Sequence, residues 1–393
     1  MTLHVALFGE FGLGNLGNDL SCRAARDRLD ALAPGARFSA VVRDAGSTAP
    51  SLGLPVVPFA RPHGGALPVR LWAKAADLVA MLRVVPRFDL VVVPGTGFLE
   101  EATAALPGGH LVWLALLSFA CRVRRVPLVW VGVGGSPYRY WLPARVAVWA
   151  ARGVRWRSYR DPMTRDALGR AGLDVARDRV VHDLVLATDP RPAVPAVRTA
   201  DGASTGGRVV VSVVNLRPSR GRARYAAVLA QVVDQLTAAG DQVTMLAMDE
   251  PDLAMADEVA ALLDGPAPTT VRPTGLDALL AVLGEADVVV ASRYHALVGA
   301  LLAGRSLVAL AHAPKDAALL AQAGLEDRAL DVATTSADEV LATVAAARAE
   351  AGRAERAAAQ VCQAARESVG AEMAVVATVM EAAMARARER QQG

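Results

Sequence analysis

Along most of the chain, short runs of β-branched and aliphatic residues alternate with longer amphipathic segments. Short strand-like runs lie at 3–8, 37–42, 88–93, 127–133 and 156–158, the longest of them wholly apolar. They predict parallel strands buried on both sides. Between them, near 19–32, 67–83, 109–122, 141–152 and 161–171, apolar residues recur every three or four positions, as in helices packed on a sheet. The rhythm resumes with strands at 208–214, 242–248, 269–272, 287–291 and 306–311, interleaved with helices at 222–239, 253–264, 275–285, 295–303 and 315–323. From about 337 the chain turns Ala/Glu/Arg-rich and helical. Separating the two series, Thr188 to Gly207 holds Pro190, Pro192, Pro195, Gly202, Gly206 and Gly207 without a periodic apolar pattern, which reads as a linker. The expected architecture is α/β, with two Rossmann-like domains facing across a cleft in a GT-B-like arrangement. Its parts are an N-terminal α/β domain over 1–187, the linker at 188–207, a C-terminal α/β domain over 208–335 that carries the donor site, and C-terminal helices over 336–393.

Length supports two cores, since 393 residues exceed what one hydrophobic core organises. A net charge of only +3 excludes the basic footprint of a nucleic-acid binder. Cys22, Cys121 and Cys362 are far apart and form no CxxC, which points to a reducing compartment. None of the six histidines has metal-ligand spacing, so no metal and no cofactor is expected. The first residues enter a strand directly, without a basic, cleavable apolar leader. The most apolar helix, Leu111 to Cys121, is too short to span a bilayer. These features read as a cytoplasmic protein.

Candidate chemistry concentrates at one strand-to-helix junction. The β-branched run Asp287 to Ala291 leads into Ser292-Arg293-Tyr294-His295, and Lys315 follows His295 by twenty residues in His312-Ala313-Pro314-Lys315. Of the 42 basic residues, only Lys74 and Lys315 are lysines, so a chain biased to arginine has kept an ammonium here. At the carboxyl end of a parallel strand, the next helix offers N–H groups and the positive end of its dipole to an anion. Taken alone, Arg293 and His295 also fit a carboxylate partner and a core histidine.

A second loop, Gly9 to Asp19, follows the first strand and contains Gly12, Gly14 and Gly17. Glycine there lets backbone approach a ligand closely. As a dinucleotide fingerprint it lacks the acidic residue expected about twenty positions later.

In order along the chain, this loop, Pro94-Gly95-Thr96-Gly97, Tyr159-Arg160-Asp161, Asp183, the segment Val211 to Arg217 and the Ser292 to Lys315 block resemble the polysaccharide pyruvyl transferase family. The resemblance covers most of residues 3–327 and is most specific in the terminal block. Two departures stand out: Asn18 replaces an acid of the family loop, and His312-Ala313 stand where a Tyr-Asp often precedes Pro-Lys. The resemblance implies transfer of the enolpyruvyl unit of phosphoenolpyruvate to two sugar hydroxyls of a polysaccharide or its precursor. For that donor, Arg217, Arg293 and Lys315 would bind phosphate and carboxylate, and His295 would act as general acid/base or as a phosphate ligand. Gly12, Gly14, Asn15 and Gly17 would hold acceptor or donor.

Asp183, at the end of the strand Val180-Val181-His182, reads as a second base, as a helix cap or as an interdomain hydrogen-bond acceptor. Asp161 before Pro162 reads as the N-cap of the following helix. From Tyr138 to Arg157 aromatic residues and arginines mix, as in a core-packed helix with snorkelling cations, a sugar-binding face or a peripheral membrane contact that would suit a lipid-linked acceptor at the inner membrane face. Two rival functions fit the same architecture: a GT-B glycosyltransferase using a nucleotide sugar, and a noncatalytic anion- or sugar-binding relative.

Overall fold

A computed structural model describes residues 2–43, 52–59, 67–100, 109–189, 206–216 and 220–392. The chain folds as two compact units. The first comprises Met1–Leu13, Asn18–Val185 and Ala365–Gly393, and the second Gly14–Gly17 and Leu186–Ala364. The expected linker falls largely on 190–205, outside the described residues.

The first unit runs β1 (His4–Phe8), α1 (Leu16–Leu32, its first two residues in the second unit), β2 (Arg37–Val42), β3 (Val56–Pro58), α2 (Leu67–Val84), β4 (Leu90–Pro94), α3 (Gly109–Arg124), β5 (Leu128–Val133), α4 (Trp141–Arg152), β6 (Trp156–Tyr159), α5 (Pro162–Arg170) and β7 (Arg179–Val180). All seven strands pair in parallel, in the order β3-β2-β1-β4-β5-β6-β7. Apart from His4 at the start of β1, strands β1, β4 and β5 are apolar and buried throughout, because helices cover both faces of a parallel sheet. Trp130, at the middle of β5, is among the largest fully buried side chains.

The second unit continues with β8 (Arg208–Val213), α6 (Arg220–Ala238), β9 (Gln242–Ala247), α7 (Glu250–Ala260), β10 (Thr269–Val271), α8 (Leu276–Gly284), β11 (Val288–Ala291), α9 (Tyr294–Leu302), β12 (Ser306–Ala311), α10 (Pro314–Gln322), β13 (Ala329–Asp331) and α11 (Ala337–Ala349). Its six parallel strands take the order β10-β9-β8-β11-β12-β13. Two strands that the sequence pattern does not predict, β3 and β13, are three residues long and lie at sheet edges, as does β7, a two-residue strand at 179–180 where the run at 180–182 leads one to expect it. Edges as short as β3 and β13 have no apolar run to announce them.

The last helix, α12 (Ala351–Gln392), has 42 residues and is long and apolar enough, by length and composition, to cross a membrane. The sequence pattern directs that question only to Leu111 to Cys121, inside α3. Packing argues against a span: Ala354, Ala358, Val361, Ala365, Val369, Val376 and Met380 form a buried stripe at helical spacing. Beside that stripe, the fully buried Glu372 accepts a 2.7 Å hydrogen bond from Trp156 Nε1 on β6. Helix α11 and the start of α12 belong to the second unit, and the helix from Ala365 onward to the first, so 336–393 is not the separate region expected from composition.

Candidate active site

Strand order reverses once in the second unit. From β8 the chain steps outward to β9 and β10, then restarts on the other side of β8 with β11, β12 and β13. Helices leaving the two strands at such a reversal diverge to opposite faces, which opens a crevice beyond their carboxyl ends. Here the strands are β8 and β11, in register from Val288↔Val209 to Ala291↔Ser212. Beyond them stand Val214-Asn215-Leu216 and Ser292-Arg293-Tyr294-His295. On the other side of β11, β12 leads into His312-Ala313-Pro314-Lys315. Three of the sequence-derived motifs therefore share one edge of one sheet.

Each motif is fixed from beneath. Ser292 is fully buried and accepts a 2.7 Å hydrogen bond from Tyr225 Oη, which in turn accepts from Val214 N at 3.2 Å. One phenol thus ties the ends of β8 and β11 together. Burial pushes the Tyr225 hydroxyl above its ordinary range, so it remains a donor. Arg293, the N-cap of α9, donates from Nε and Nη2 to Asp252 at 2.7 and 2.5 Å, and from Nη2 to Asp249 at 3.4 Å. Asp252 is buried and also accepts from Asn215 N at 2.8 Å. The Asn215 side chain is bonded by Arg222 Nη1, and Arg222 is clamped by Glu258. Burial raises the Asp249 carboxyl, against the opposing pull of Arg293 and Arg272.

Helix α9 begins at the crevice without a side-chain cap, and His295 is its second residue, half-buried. Small residues let this helix lie close to its neighbour: a Cβ added at Gly299 would come within 2.7 Å of Leu283 on α8. The turn into α10 is held by buried Asp316, whose Oδ2 accepts from the amides of His312 and Ala313 at 3.2 and 3.1 Å. That capping leaves Lys315 as the second residue of α10. The two departures from the family pattern thus differ in consequence. His312 and Ala313 supply backbone to a cap, while Asn18 donates from Nδ2 to Glu10 O at 3.2 Å and neighbouring Asp19 accepts from Gly12 N at 2.7 Å.

The glycine loop divides between the units. Gly12, at φ 67°, belongs to the first, whereas Gly14, Asn15 and Gly17 belong to the second. Leu16 N donates to Met248 O at 3.2 Å, at the end of β9. A Cβ added at Gly17 would come within 2.1 Å of His295 Nδ1, so the absence of a side chain at 17 makes the room that the imidazole occupies.

Not every expected residue joins this group. Arg217 lies outside the described residues. Asp183 lies in the first unit, three residues beyond β7, with a fully buried side chain. Its Oδ1 accepts from Val185 N at 2.9 Å and its Oδ2 pairs with Arg160 at 3.3 Å. These two contacts tie it to the turn that follows and to the end of β6. Asp161 is the N-cap of α5, accepting from Thr164 N at 2.7 Å. Sequence reasoning misses Asp249, Asp252, Tyr225 and Arg222. The acidic run Asp249-Glu250-Pro251-Asp252 looks like ordinary charge at a helix start, and its partner Arg293 is 41 residues away.

A model of the family described as polysaccharide pyruvyl transferase matches residues 15–314. No curated protein matches the sequence. Solved structures share the fold at low identity. Anabaena HepE in complex with UDP and glucose aligns with a TM-score of 0.62 at 14% identity, over 96% of this chain and 99% of that one. The UDP-GlcNAc 2-epimerase of Neisseria meningitidis bound to UDP-GlcNAc gives 0.62 at 8% identity, over 96% and 100%. That of Methanocaldococcus jannaschii gives 0.56 at 10%, over 88% and 92%. These likenesses put the two Rossmann-like units and the C-terminal helix in the GT-B class.

Proposed function

Because the chain belongs to the polysaccharide pyruvyl transferase family, we propose that it moves the enolpyruvyl unit of phosphoenolpyruvate onto two hydroxyls of a sugar or glycan acceptor. The products are a pyruvate ketal and inorganic phosphate. The observation that carries this reading is the junction of β11 and α9, where Arg293 and His295 stand at the reversal point of the sheet.

In the proposed reaction, C3 of the enol takes a proton and becomes a methyl group, while positive charge develops at C2. One sugar hydroxyl adds to C2, the C2–O bond to phosphate breaks with its electron pair going to phosphate, and the second hydroxyl closes the ketal. Of the two hydroxyl protons lost, one balances the proton gained at C3 and the other leaves with phosphate. His295 serves as the acid/base or holds the phosphate, since an imidazole changes charge near neutral pH. Lys315 and Arg217 bind the donor's anionic groups, each charge-assisted bond contributing about 1.5–3 kcal/mol. Arg293 reaches the donor by releasing its longer contact with Asp249 while keeping the fork to Asp252. Gly14, Asn15 and Gly17 give backbone access beside His295.

Incubating the protein with phosphoenolpyruvate and a panel of glycans tests the proposal, with released phosphate and the ketal methyl signal as readouts. Release that depends on both donor and acceptor supports it. Nucleotide release from a nucleotide sugar, with phosphoenolpyruvate untouched, would establish the glycosyltransferase reading instead. Binding of donor without turnover on any acceptor would establish the noncatalytic one.

A further inference from the structure

Helices α2, α3 and α4 cover one face of the first sheet. Their crossovers from β3 to β4, β4 to β5 and β5 to β6 all step the same way across it, and right-handed connections then put all three on the same side. They pack side by side, α2 on α3 and α3 on α4. Their outer surface has an unusual make-up. Eight large apolar residues are exposed among the described residues, and six of them are here: Trp72, Val79, Phe119, Val123, Trp141 and Trp149. Trp72 and Trp141 are 79% and 72% exposed. Phe119 and Trp149 stack on each other across α3 and α4, with ring centroids 6.2 Å apart.

The exposed charge on these three helices has a single sign, and the acid of neighbouring α5, Asp166, is paired with Arg165. From Ala102 to Arg160 the chain contains nine arginines and no Asp or Glu. The only acid in α2 is Asp77, which is buried and bonded by Lys74 Nζ and Trp113 Nε1, both at 3.0 Å. On α4 the exposed residues Trp141, Arg145, Trp149 and Arg152 follow one another at intervals of four, four and three, which is one helical stripe. Exposed Arg122, Arg124 and Arg125 extend it from the end of α3.

From this we infer that the α2–α3–α4 face docks on an anionic phospholipid surface, the tryptophans entering the interface and the arginines meeting lipid phosphates. Trp and Arg have an apolar body and a polar or charged tip, which suits the boundary between headgroup and acyl chain. A second copy of the chain is the poorer occupant. A twofold contact would set this face against itself, and with no exposed acid on the three helices, arginines would oppose arginines. The inference stands apart from the donor chemistry, so failure of either leaves the other intact.

Vesicle co-sedimentation of the full chain tests it, comparing phosphatidylglycerol/phosphatidylcholine vesicles with phosphatidylcholine alone. The expected result is binding to the anionic vesicles that weakens with salt, and much less binding to neutral ones. The double substitution Arg145→Gln/Arg152→Gln should weaken it roughly thirtyfold. Trp141→Ser/Trp149→Ser should weaken it even at low salt, and Leu262→Ser, an exposed apolar residue of the second unit, should not. Circular dichroism and melting temperature check that the variants fold, and all the substituted positions are exposed. No binding to anionic vesicles, equal binding to neutral ones, variants that bind like wild type, or concentration-dependent self-association abolished by the tryptophan substitutions would each overturn the inference.

Discussion

Arg293 and Asp252 form a forked ion pair, Nε and Nη2 of the guanidinium each meeting one carboxylate oxygen at 2.7 and 2.5 Å. Their environments are unequal. The Asp252 side chain is 0% exposed, whereas that of Arg293 is 22% exposed and also has Asp249 as a partner. Removing either residue should therefore cost different amounts. Arg293→Ala strands a buried carboxylate and should destabilise the second unit by about 3–5 kcal/mol, the range for breaking a buried pair. Asp252→Ala leaves a guanidinium with water and a second acid within reach, and should cost less, about 1–3 kcal/mol. Urea unfolding of the two variants measures the difference, and equal losses would refute it.

Gly17 predicts a steric effect at a distance in sequence. In Gly17→Ala the new methyl group would collide with His295 Nδ1, so the ring must turn away. We expect a folded protein with donor-dependent turnover lowered about a hundredfold, the scale of a small misplacement of a reacting group. Full activity in Gly17→Ala would show that the position of the ring does not matter.

His295 can be tested for its role as well as its importance. As the acid/base, His295→Ala should lower kcat by about 10²–10⁴ with a modest change in KM for phosphoenolpyruvate. As a phosphate ligand only, it should raise KM and largely spare kcat. Steady-state kinetics separates the two, and unchanged values for both would remove His295 from the site.

Glu372 gives a pH prediction for the fold. Burial raises its carboxyl above the ordinary Glu value, with the bond from Trp156 opposing the rise. In the folded state it therefore keeps its proton to higher pH than in the unfolded chain. Its contribution to stability is fully present below the unfolded value, near 4.3, and declines as pH rises through the folded value. Glu372→Gln keeps an oxygen to accept from Trp156 and removes the titration. The variant should match or exceed wild type in melting temperature at pH 8, with the gap narrowing as pH falls toward 4. A variant less stable at pH 8 by more than at pH 4 would contradict this.

Local patterns were legible in the sequence to the extent that their physics was local. Asp161 before Pro162 announces a helix start because cap and first turn are adjacent in the chain, and the cap is there. The β11 to α9 junction and the Pro314-Lys315 turn are visible because strand, N-cap and helix follow one another directly. Partnerships across the sheet were not visible. Nothing around Asp252 says that Arg293 lies against it, and nothing around Gly17 says that its missing side chain makes room for His295. Asp183 was ambiguous for the same reason, since the residue that pairs with it, Arg160, comes from another strand end. The length of α12 was hidden by its alanines, which carry weak apolar periodicity until the buried stripe is traced in three dimensions.

The assignment of α12 from Ala365 onward to the first unit has a consequence for biosynthesis. Apart from the short Gly14–Gly17 segment, the second unit is an unbroken stretch from Leu186 to Ala364 that a ribosome completes before the first unit has received its last helix. Until that helix emerges, Glu372 is not there for Trp156, nor Ser368 for the His182 ring that it contacts at 2.9 Å. The first unit is thus begun before the second and completed after it, and a nascent chain stalled between 186 and 364 still lacks the α12 partners of Trp156 and His182.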